Sequence, residues 1–182
     1  MIVSTAIRKV TQLGNPILRA PTRPLTPDEI ASPDVQRLVR EMAVTMEEYE
    51  GVGIAGNQVG EGLSVFLMGL AAGGQRHPNG IDLTVVFNPE VKFLGAETEV
   101  DWEGCLSIPG LRGKVTRRSK LELAGLGLDG RPFKRIYEGF PARVVQHEWD
   151  HLNGKVYLDR VDMATLGWTE ELAKWRQSSS ED

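Results

Sequence analysis

Apolar side chains recur at helical spacing in three stretches of the chain, and each stretch predicts an amphipathic helix. In the first, Ser32 is a suitable N-cap and Pro33 a suitable first helical residue. Apolar residues then follow every three or four positions until Gly51 ends the helix. The second stretch, 141–154, begins with a proline and stops at a glycine. The third, 166–175, predicts a terminal helix.

Short apolar runs, some of them alternating with polar residues, predict β-strands between these helices. The runs are 63–68, 83–88, 91–94, 97–102, 114–118, 120–128 and 133–136, with a further short extended stretch at 157–162. We expect 91–94 to pair with 97–102 across a turn near Gly95. Asp129-Gly130 indicates a hairpin leading into the last run. The first 27 residues are rich in proline and predict irregular structure.

This pattern predicts an α+β fold, in which mostly antiparallel sheets pack around the central helix at 141–154. A chain of 182 residues is long enough to bury a substantial core. Neither internal repeats nor a linker interrupt it, so we expect a single catalytic domain spanning 1–182.

The central helix carries candidate metal ligands. His147 and His151 lie four residues apart, so on a helix they project from one face, one turn apart. Glu148 follows His147 about 100° further round the helix. These three ionisable groups fall on or beside the apolar face, where burial is costly without a partner. A metal ion supplies that partner, and Glu148 suits a general base acting on water at the metal. The opposite arc is polar and holds Arg143, Gln146, Asp150 and Asn153.

A catalytic metal needs a third protein ligand, and the residues alone leave its identity open. The remaining histidine, His77, lies in a Gly/Pro-rich stretch, and Tyr157 stands where the metzincin pattern has its third histidine. Glu170 and Glu171 lie at about the distance at which thermolysin-like zinc endopeptidases supply a glutamate, so that function is an alternative. The other candidate is Cys105, the only cysteine, although a lone cysteine is commonly a small buried apolar residue.

Three separated segments together resemble the peptide deformylase family. Residues 51–58, GVGIAGNQ, are similar to the family pattern GxGhAAxQ, in which h is apolar. Residues 103–107 read EGCLS, and residues 146–154 fit QHExDHLxG at every fixed position. The order and rough spacing of the segments agree as well. One departure is Gly56, where the family usually has alanine, and it adds backbone freedom.

The resemblance implies a metal site made of the Cys105 thiolate with neutral His147 and His151, leaving a fourth position for water. It implies one divalent ion, natively Fe²⁺, although such a ligand set also accepts Zn²⁺, Ni²⁺ or Co²⁺. Glu103 and Arg117 match family positions that form an ion pair orienting the cysteine loop. A plain surface ion pair is the alternative for these two residues.

The implied reaction is hydrolysis of the N-formyl group from the N-terminal methionine of newly made polypeptides, with release of formate. Glu148 would be the general base, and the Gln58 side-chain amide and the Leu106 backbone N–H would donate to the oxyanion. The first segment would pair with extended peptide substrate like an added strand. The substrate-binding residues implied are Val52, Gly53, Gly104 and Val144, with core packing as the alternative for both valines. A non-catalytic binding protein is a further alternative, which the complete set of ligands, base and glutamine disfavours.

Charge and cysteine content narrow the partners and the compartment. The net charge is −4, so no global basic field draws the protein to nucleic acid or membrane. The expected partner is a formyl-methionyl nascent peptide. Transient ribosome contact would need a local patch such as Arg117-Arg118 with Lys120, a run that we interpret as a solvated strand face. A single cysteine excludes an internal disulfide and favours a reducing compartment. We therefore expect a cytoplasmic bacterial protein, with a mature organellar form as the alternative.

Overall fold

The computed structural model describes residues 6–74 and 78–178, with side chains as far as residue 174. His77, considered above as a candidate metal ligand, lies outside the described residues.

Two helices come first along the described ranges, then seven strands in succession, then a helix, a short strand and a last helix. The helices are α1 (Pro27–Ala31), α2 (Pro33–Glu48), α3 (Phe140–Leu152) and α4 (Thr169–Ser178). The strands are β1 (Gly53–Ala55), β2 (Val65–Leu70), β3 (Ile81–Phe93), β4 (Thr98–Cys105), β5 (Ile108–Arg118), β6 (Lys120–Leu126), β7 (Pro132–Glu138) and β8 (Gly167–Trp168). Turns of 3-10 helix cover Pro16–Arg19, Gly56–Val59, Tyr157–Asp159 and Met163–Thr165. None of the helices in these ranges is long and apolar enough to cross a membrane.

The strands form two sheets, and within each sheet every pair of neighbouring strands is antiparallel. Five strands form one sheet in the order β1-β2-β3-β6-β7, and three form a second in the order β4-β5-β8. This arrangement confirms the predicted α+β class with mostly antiparallel sheets.

The five-stranded sheet lies between α2 and α3, and its strand β2 is apolar on both faces. In β2, Val65 and Leu67 pack in the cluster that contains α2, whereas Phe66 and Met68 pack in the cluster that contains α3. Successive side chains of a strand point to opposite faces. A continuous apolar run in β2 therefore serves two cores.

The start of α2 agrees with the prediction, whereas α1 was not predicted. Ser32 caps the first turn of α2 and Pro33 is its first helical residue. Helix α1 begins with a capping box in which Thr26 and Glu29 each satisfy the other's backbone N–H. That pattern is a known signature of a helix start, so the sequence did contain the signal for α1.

The predicted pairing of 91–94 with 97–102 is wrong. The runs at 83–88 and 91–94 belong to one continuous strand, β3, which pairs with β2 and β6. Pro89 is accommodated where the β3–β6 register is irregular. Strand β4 pairs with β5 in the other sheet. The turn near Gly95 therefore carries the chain from the five-stranded sheet to the three-stranded sheet. The alternation of apolar and polar residues does not show which sheet a strand joins.

Helix α3 is buried on its polar arc as well as on its apolar face. Arg143 and Gln146 are 4% exposed and Asp150 is 2% exposed. The second sheet covers this side, and the Gln146 side chain bonds both the backbone N–H and the C=O of Arg118 in β5. The helix is therefore central, with apolar contacts to one sheet and hydrogen-bonded contacts to the other.

Burial also corrects the interpretation of Arg117-Arg118 with Lys120 as a solvated strand face. Arg117 is 4% exposed and forms ion pairs with Glu103 and Asp150. The three cations therefore do not share a basic patch.

The segment after α3 differs from the prediction in two places. Residues 157–162 are not a continuous extended stretch, because Tyr157–Asp159 is a 3-10 turn and Val161 forms an isolated bridge with Val115. The terminal helix begins at Thr169, later than predicted, because the two residues before it pair with β5 as β8.

Candidate metal centre

Three metal-ligating side chains converge where the end of β4 meets α3. Cys105 is the last residue of β4, and the β4–β5 register shifts between Glu103 and Cys105. Such irregularities re-aim a side chain. The Cys105 sulfur lies 3.2 Å from His151 Nε2. One ligand atom each from Cys105, His147 and His151 all lie within 4.8 Å of one another, and no other such group of three occurs in the described residues.

The two glutamates considered as third ligand lie elsewhere. Glu170 and Glu171 are exposed residues in the first turn of α4, and Glu171 pairs with Lys174. Neither belongs to a group of three close ligand atoms within the described ranges. The geometry therefore gives the endopeptidase alternative no third ligand.

The three donors suit a divalent cation on electrostatic grounds. Burial holds the pKa of His151 well below its usual value, so the ring is neutral and keeps a lone pair for a ligand. Burial also disfavours a charge on His147, but its hydrogen bonds to Cys105 and Glu103 outweigh that effect and raise its pKa well above the usual value. A metal ion bound by His147 would take the place of that proton, and the Cys105 and Glu103 groups that favour the proton would also favour the cation.

Glu103 is the centre of a buried ion cluster that orients His147. His147 Nδ1–H donates to Glu103 Oε2 at 2.9 Å, which leaves the other ring nitrogen for a metal. Arg117 donates through two nitrogens to the two Glu103 oxygens, at 2.9 and 3.0 Å. Arg143 adds a bond of 2.8 Å to Oε1. Burial opposes ionisation of Glu103, but the bonds from His147 and Arg117 outweigh it and hold its pKa well below the usual value.

The pair of Glu103 and Arg117 is consequently not a surface ion pair, since both are about 95% buried, at 5% and 4% exposed. Arg143 was missed as a member of this cluster. Sequence reasoning assigned it to the polar arc of the helix, where a solvent-facing charge and a buried one look alike.

Glu148 lies beside the metal donors and packs against β1. It is 3% exposed, and within the described part of the chain its Oε2 has no hydrogen-bond partner, so this oxygen is available to accept a proton. Burial raises the pKa of Glu148 to about 7. A Cβ placed on Gly53 would lie 2.7 Å from Glu148 Cδ and 2.9 Å from Cγ. Glycine at position 53 therefore makes room for the carboxylate.

Gln58 is fixed with its amide NH₂ group toward the donors. Its Oε1 accepts a hydrogen bond from Ala55 N–H at 2.8 Å, so its Nε2 faces Ser107 Oγ at 3.2 Å and the Cys105 sulfur at 3.5 Å. Ser107 is fully buried and was not singled out from the sequence, although it ends the segment 103–107. Leu106 lies with it in the two-residue turn between β4 and β5.

A cavity of about 860 Å³ opens over these groups. Among its lining residues are all four predicted substrate-binding residues and the proposed catalytic groups: Val52, Gly53, Gln58, Gly104, Leu106, Val144, His147 and Glu148. Val144 and Val52 also pack in the core beneath α3, so core packing applies to both, and their contact with substrate stays a prediction. Strand β1 is an edge strand and its Gly53 lines the cavity, so an extended peptide can add to its outer edge.

Comparison with known proteins identifies the family. The sequence model of polypeptide deformylases matches residues 7–166. The chain belongs to this family. Peptide deformylase 1 of Nitrosomonas europaea is 40% identical over 169 residues, which cover 91% of this chain and 94% of that protein. Peptide deformylase 1 of Prochlorococcus marinus is 39% identical over 170 residues, which cover 92% and 88%. The crystal structure of a class I type b peptide deformylase from Acinetobacter baumannii, with Met-Ala-Ser bound, gives a TM-score of 0.81 at 34% identity and covers 87% of this chain and all of that one.

The deformylase family defines the reaction. The protein is a hydrolase of protein biosynthesis that removes the formyl group from the N-terminal methionine of newly made polypeptides. The family uses a divalent metal ion, and the cluster of Cys105, His147 and His151 supplies suitable donors for one.

The close approach of Gly53 to Glu148 leads to a prediction. Gly53→Ala should reduce kcat/KM for a formylated peptide by roughly 10²-fold, because displacing a reacting group by about 1 Å has an effect of that size. Metal content should stay unchanged, since no proposed ligand is touched. Both quantities are measured on the same preparation, with Gly62→Ala as control because nothing lies within 4 Å of a Cβ at that position.

A double variant separates this displacement from general damage. If Gly53→Ala acts through the Glu148 carboxylate, it should add little to the loss already caused by Glu148→Ala. A full additional loss in the double variant would contradict the explanation.

Proposed function

We propose that deformylation takes place at the floor of the 860 Å³ cavity, with Cys105, His147 and His151 holding the metal and Glu148 transferring the proton. The observation that carries this proposal is the convergence of the three ligand atoms with the available Glu148 oxygen and the Gln58 amide. All of these residues except the fully buried His151 line the cavity. The ion cluster around Glu103 supports it, because that cluster holds His147 by its other ring nitrogen.

The native ion is proposed to be Fe²⁺. When bound, a divalent cation polarises a carbonyl oxygen and lowers the pKa of water. One thiolate and two imidazoles also accept Zn²⁺, Ni²⁺ and Co²⁺, so the support for iron is the resemblance of the three sequence segments to the family.

Glu148 takes part in two proton transfers, first as a base and then as an acid. Its Oε2 accepts a proton from the attacking water, and the water oxygen forms a bond to the formyl carbon. The proton then passes to the amide nitrogen as the C–N bond breaks, which releases formate and a free amino terminus. Burial of Glu148 and the availability of Oε2 within the described residues support this role.

Gln58 and Leu106 stabilise the negative charge that develops on the formyl oxygen. The Gln58 side-chain oxygen accepts a hydrogen bond from the Ala55 N–H. The NH₂ group of Gln58 therefore already points at the cavity and need not reorient during the reaction. The Leu106 backbone N–H, in the tight turn after Cys105, is the second donor. Fixed donors of this kind act mainly on the transition state, because the charge is absent from the substrate.

The cavity takes the amino-terminal methionine of an extended peptide. Val52 and Val144 provide apolar wall for the methionine side chain, and Gly53 and Gly104 provide close backbone on β1 and β4. The Acinetobacter baumannii relative holds Met-Ala-Ser, and we infer that this cavity accepts a similar peptide.

Because the substrate is a newly made polypeptide, we propose that the enzyme works near the ribosome in the bacterial cytoplasm. The similar relatives named above are bacterial, and a reduced Cys105 thiolate requires a reducing compartment. We propose only transient contact with the ribosome, because the enzyme needs just the emerging chain end and the burial of Arg117 leaves Arg118 and Lys120 without a shared basic patch. Salt-sensitive co-sedimentation with ribosomes tests this contact, and its absence at low ionic strength would contradict it.

The function is tested by release of formate from a formyl-methionyl peptide. We expect turnover with the formylated peptide and none with acetylated or unformylated versions of the same sequence. Internal cleavage of these peptides in place of formate release would favour the endopeptidase alternative.

Cys105 and Glu148 should separate metal binding from catalysis. Cys105→Ser should lose most bound metal, because a hydroxyl is a poorer ligand than a thiolate. Glu148→Ala should keep its metal and lose about 10²–10⁴-fold in kcat through loss of acid–base help. Metal content and kcat are measured side by side, and metal loss in Glu148→Ala would mean that its role is misassigned.

Gln58→Leu should lower kcat by roughly 10²–10³-fold with a much smaller effect on KM, since the lost donor acts on the transition state. The variant should also lose about 1–3 kcal/mol of stability, because the buried Ala55 N–H loses its acceptor. For this reason kcat is referred to folded, metal-loaded molecules. A value near that of the wild type would restrict Gln58 to a structural role.

An iron-loaded enzyme should lose activity in air, and faster with peroxide, because a redox-active ion lies beside an oxidisable thiolate. The zinc-loaded form should resist, since zinc is redox-inert. Activity is followed over time after reconstitution with each ion. Equal resistance of the enzyme as isolated from cells would argue against iron as the native metal.

A further inference from the structure

A second carboxylate, Asp150, extends the ion cluster from Glu103 towards the protein surface. Asp150 is 2% exposed and accepts a hydrogen bond from Arg117 Nη1. It also accepts two from Arg160, from Nε to Oδ2 at 2.6 Å and from Nη2 to Oδ1 at 2.7 Å. The Arg160 side chain is 38% exposed. Two of the three charge-assisted bonds to a buried carboxylate therefore come from a residue at the surface.

The same chain of contacts ends at a proposed metal ligand. Arg117 donates to both Asp150 and Glu103, and Glu103 accepts from His147 Nδ1. We propose that Arg160 is a positioning residue for the metal centre, acting on the His147 ring through Asp150, Arg117 and Glu103. The inference rests on the proposed role of His147 as a ligand.

Competition for Arg117 is the physical basis of this coupling. Arg117 gives Nη1 to Asp150 and Nε and Nη2 to Glu103, so one rigid guanidinium serves two buried carboxylates. Without Arg160, Asp150 keeps one charge-assisted bond, from Arg117, and water entering from the second cavity is a weaker substitute for the two bonds that are lost. A buried carboxylate with too few donors is costly, so Asp150 would draw Arg117 toward itself. The Glu103 carboxylate would then either move with Arg117 or lose the two bonds that Arg117 donates to it. In both cases it would no longer fix the orientation of the His147 ring.

The position of Arg160 allows this role to be tested without disrupting the core. It follows the 3-10 turn Tyr157–Asp159 and lines a second cavity, of about 320 Å³, on the far side of α3 from the first. A shorter side chain there leaves space continuous with that cavity and no closed void. By contrast, Arg117 is 4% exposed, and its removal would take donors from two buried carboxylates at once.

The turn that precedes Arg160 also offers a matched control. Arg19 forms an ion pair with Asp159 in that turn. Its side chain is 46% exposed, so Arg19 resembles Arg160 in exposure and in anchoring the same turn. Arg19→Gln therefore reports on the anchoring of the turn without removing a donor from Asp150.

The experiment compares metal affinity and apo-protein stability. Metal affinity is measured by competition with a chelating indicator, using Zn²⁺ and Co²⁺ on the full-length protein. Arg160→Gln should bind both ions roughly tenfold more weakly, at the low end of the effect of residues that support metal ligands. The visible spectrum of its Co²⁺ form should change, since the ligand geometry is less well fixed. Arg19→Gln should leave affinity and spectrum as in the wild type.

A conservative variant and a double variant test the route. Arg160→Lys should recover part of the affinity, because a single ammonium cannot reproduce the two-point contact. Arg160→Gln combined with Asp150→Asn should lose less than the sum of the two single losses, because both act through one contact. Additive losses would overturn the proposed route.

Two outcomes distinguish failure of this inference from failure of the proposed site. Unchanged metal affinity in Arg160→Gln, with a lower melting temperature of the apo-protein, would make Arg160 a merely structural residue. If His147→Ala kept full metal affinity, the ligand assignment itself would be wrong. Loss of metal in His147→Ala with normal affinity in Arg160→Gln would overturn only the present inference.

Discussion

The buried carboxylate of Glu103 is the interaction on which the geometry of the centre depends. It belongs to β4, and its partners Arg117, Arg143 and His147 belong to β5 and α3. Removing a carboxylate from water is costly, and the cost is offset only when every partner is in place. One interaction therefore joins the second sheet to the central helix and sets the angle of a metal-binding ring. A change in how the second sheet packs on the central helix would therefore also change the orientation of the metal-binding ring.

Helix α3 makes this possible because its two faces meet different kinds of surface. Its apolar residues pack on the five-stranded sheet, whereas Arg143, Gln146 and Asp150 form hydrogen bonds on the side of the three-stranded sheet. His147 and Glu148 lie at the boundary between these faces and line the cavity, whereas His151, one turn further along, is fully buried. A helix that was apolar all round would bury itself equally well, but it would offer no polar interior in which ionised ligands are stable.

The sequence predicted those parts of the structure that depend on local spacing. The phase of α3, the cap at Ser32 and the antiparallel α+β class follow from periodicity and turn chemistry. The third ligand could not be chosen from the residues alone, because Cys105 and His151 meet across 46 positions. The predicted strand pairing at 91–102 was wrong for the same reason, because the turn there leads to another sheet. The run at 117–120 was wrongly interpreted as a solvated face, because only its partners distinguish an internal cation from a solvated one, and the family resemblance alone pointed to the pair of Arg117 with Glu103.

The large sequence separations within the centre have a consequence for how the protein is made. Asn57 bonds the backbone of His151 across 94 positions, and Gln58 meets Ser107 across 49. Contacts of this kind close long loops and form slowly. Two of the three ligand atoms arrive with α3, which follows β7 in the chain. The ligand set is therefore complete only when α3 has docked against both sheets, so metal binding and these long-range contacts depend on each other.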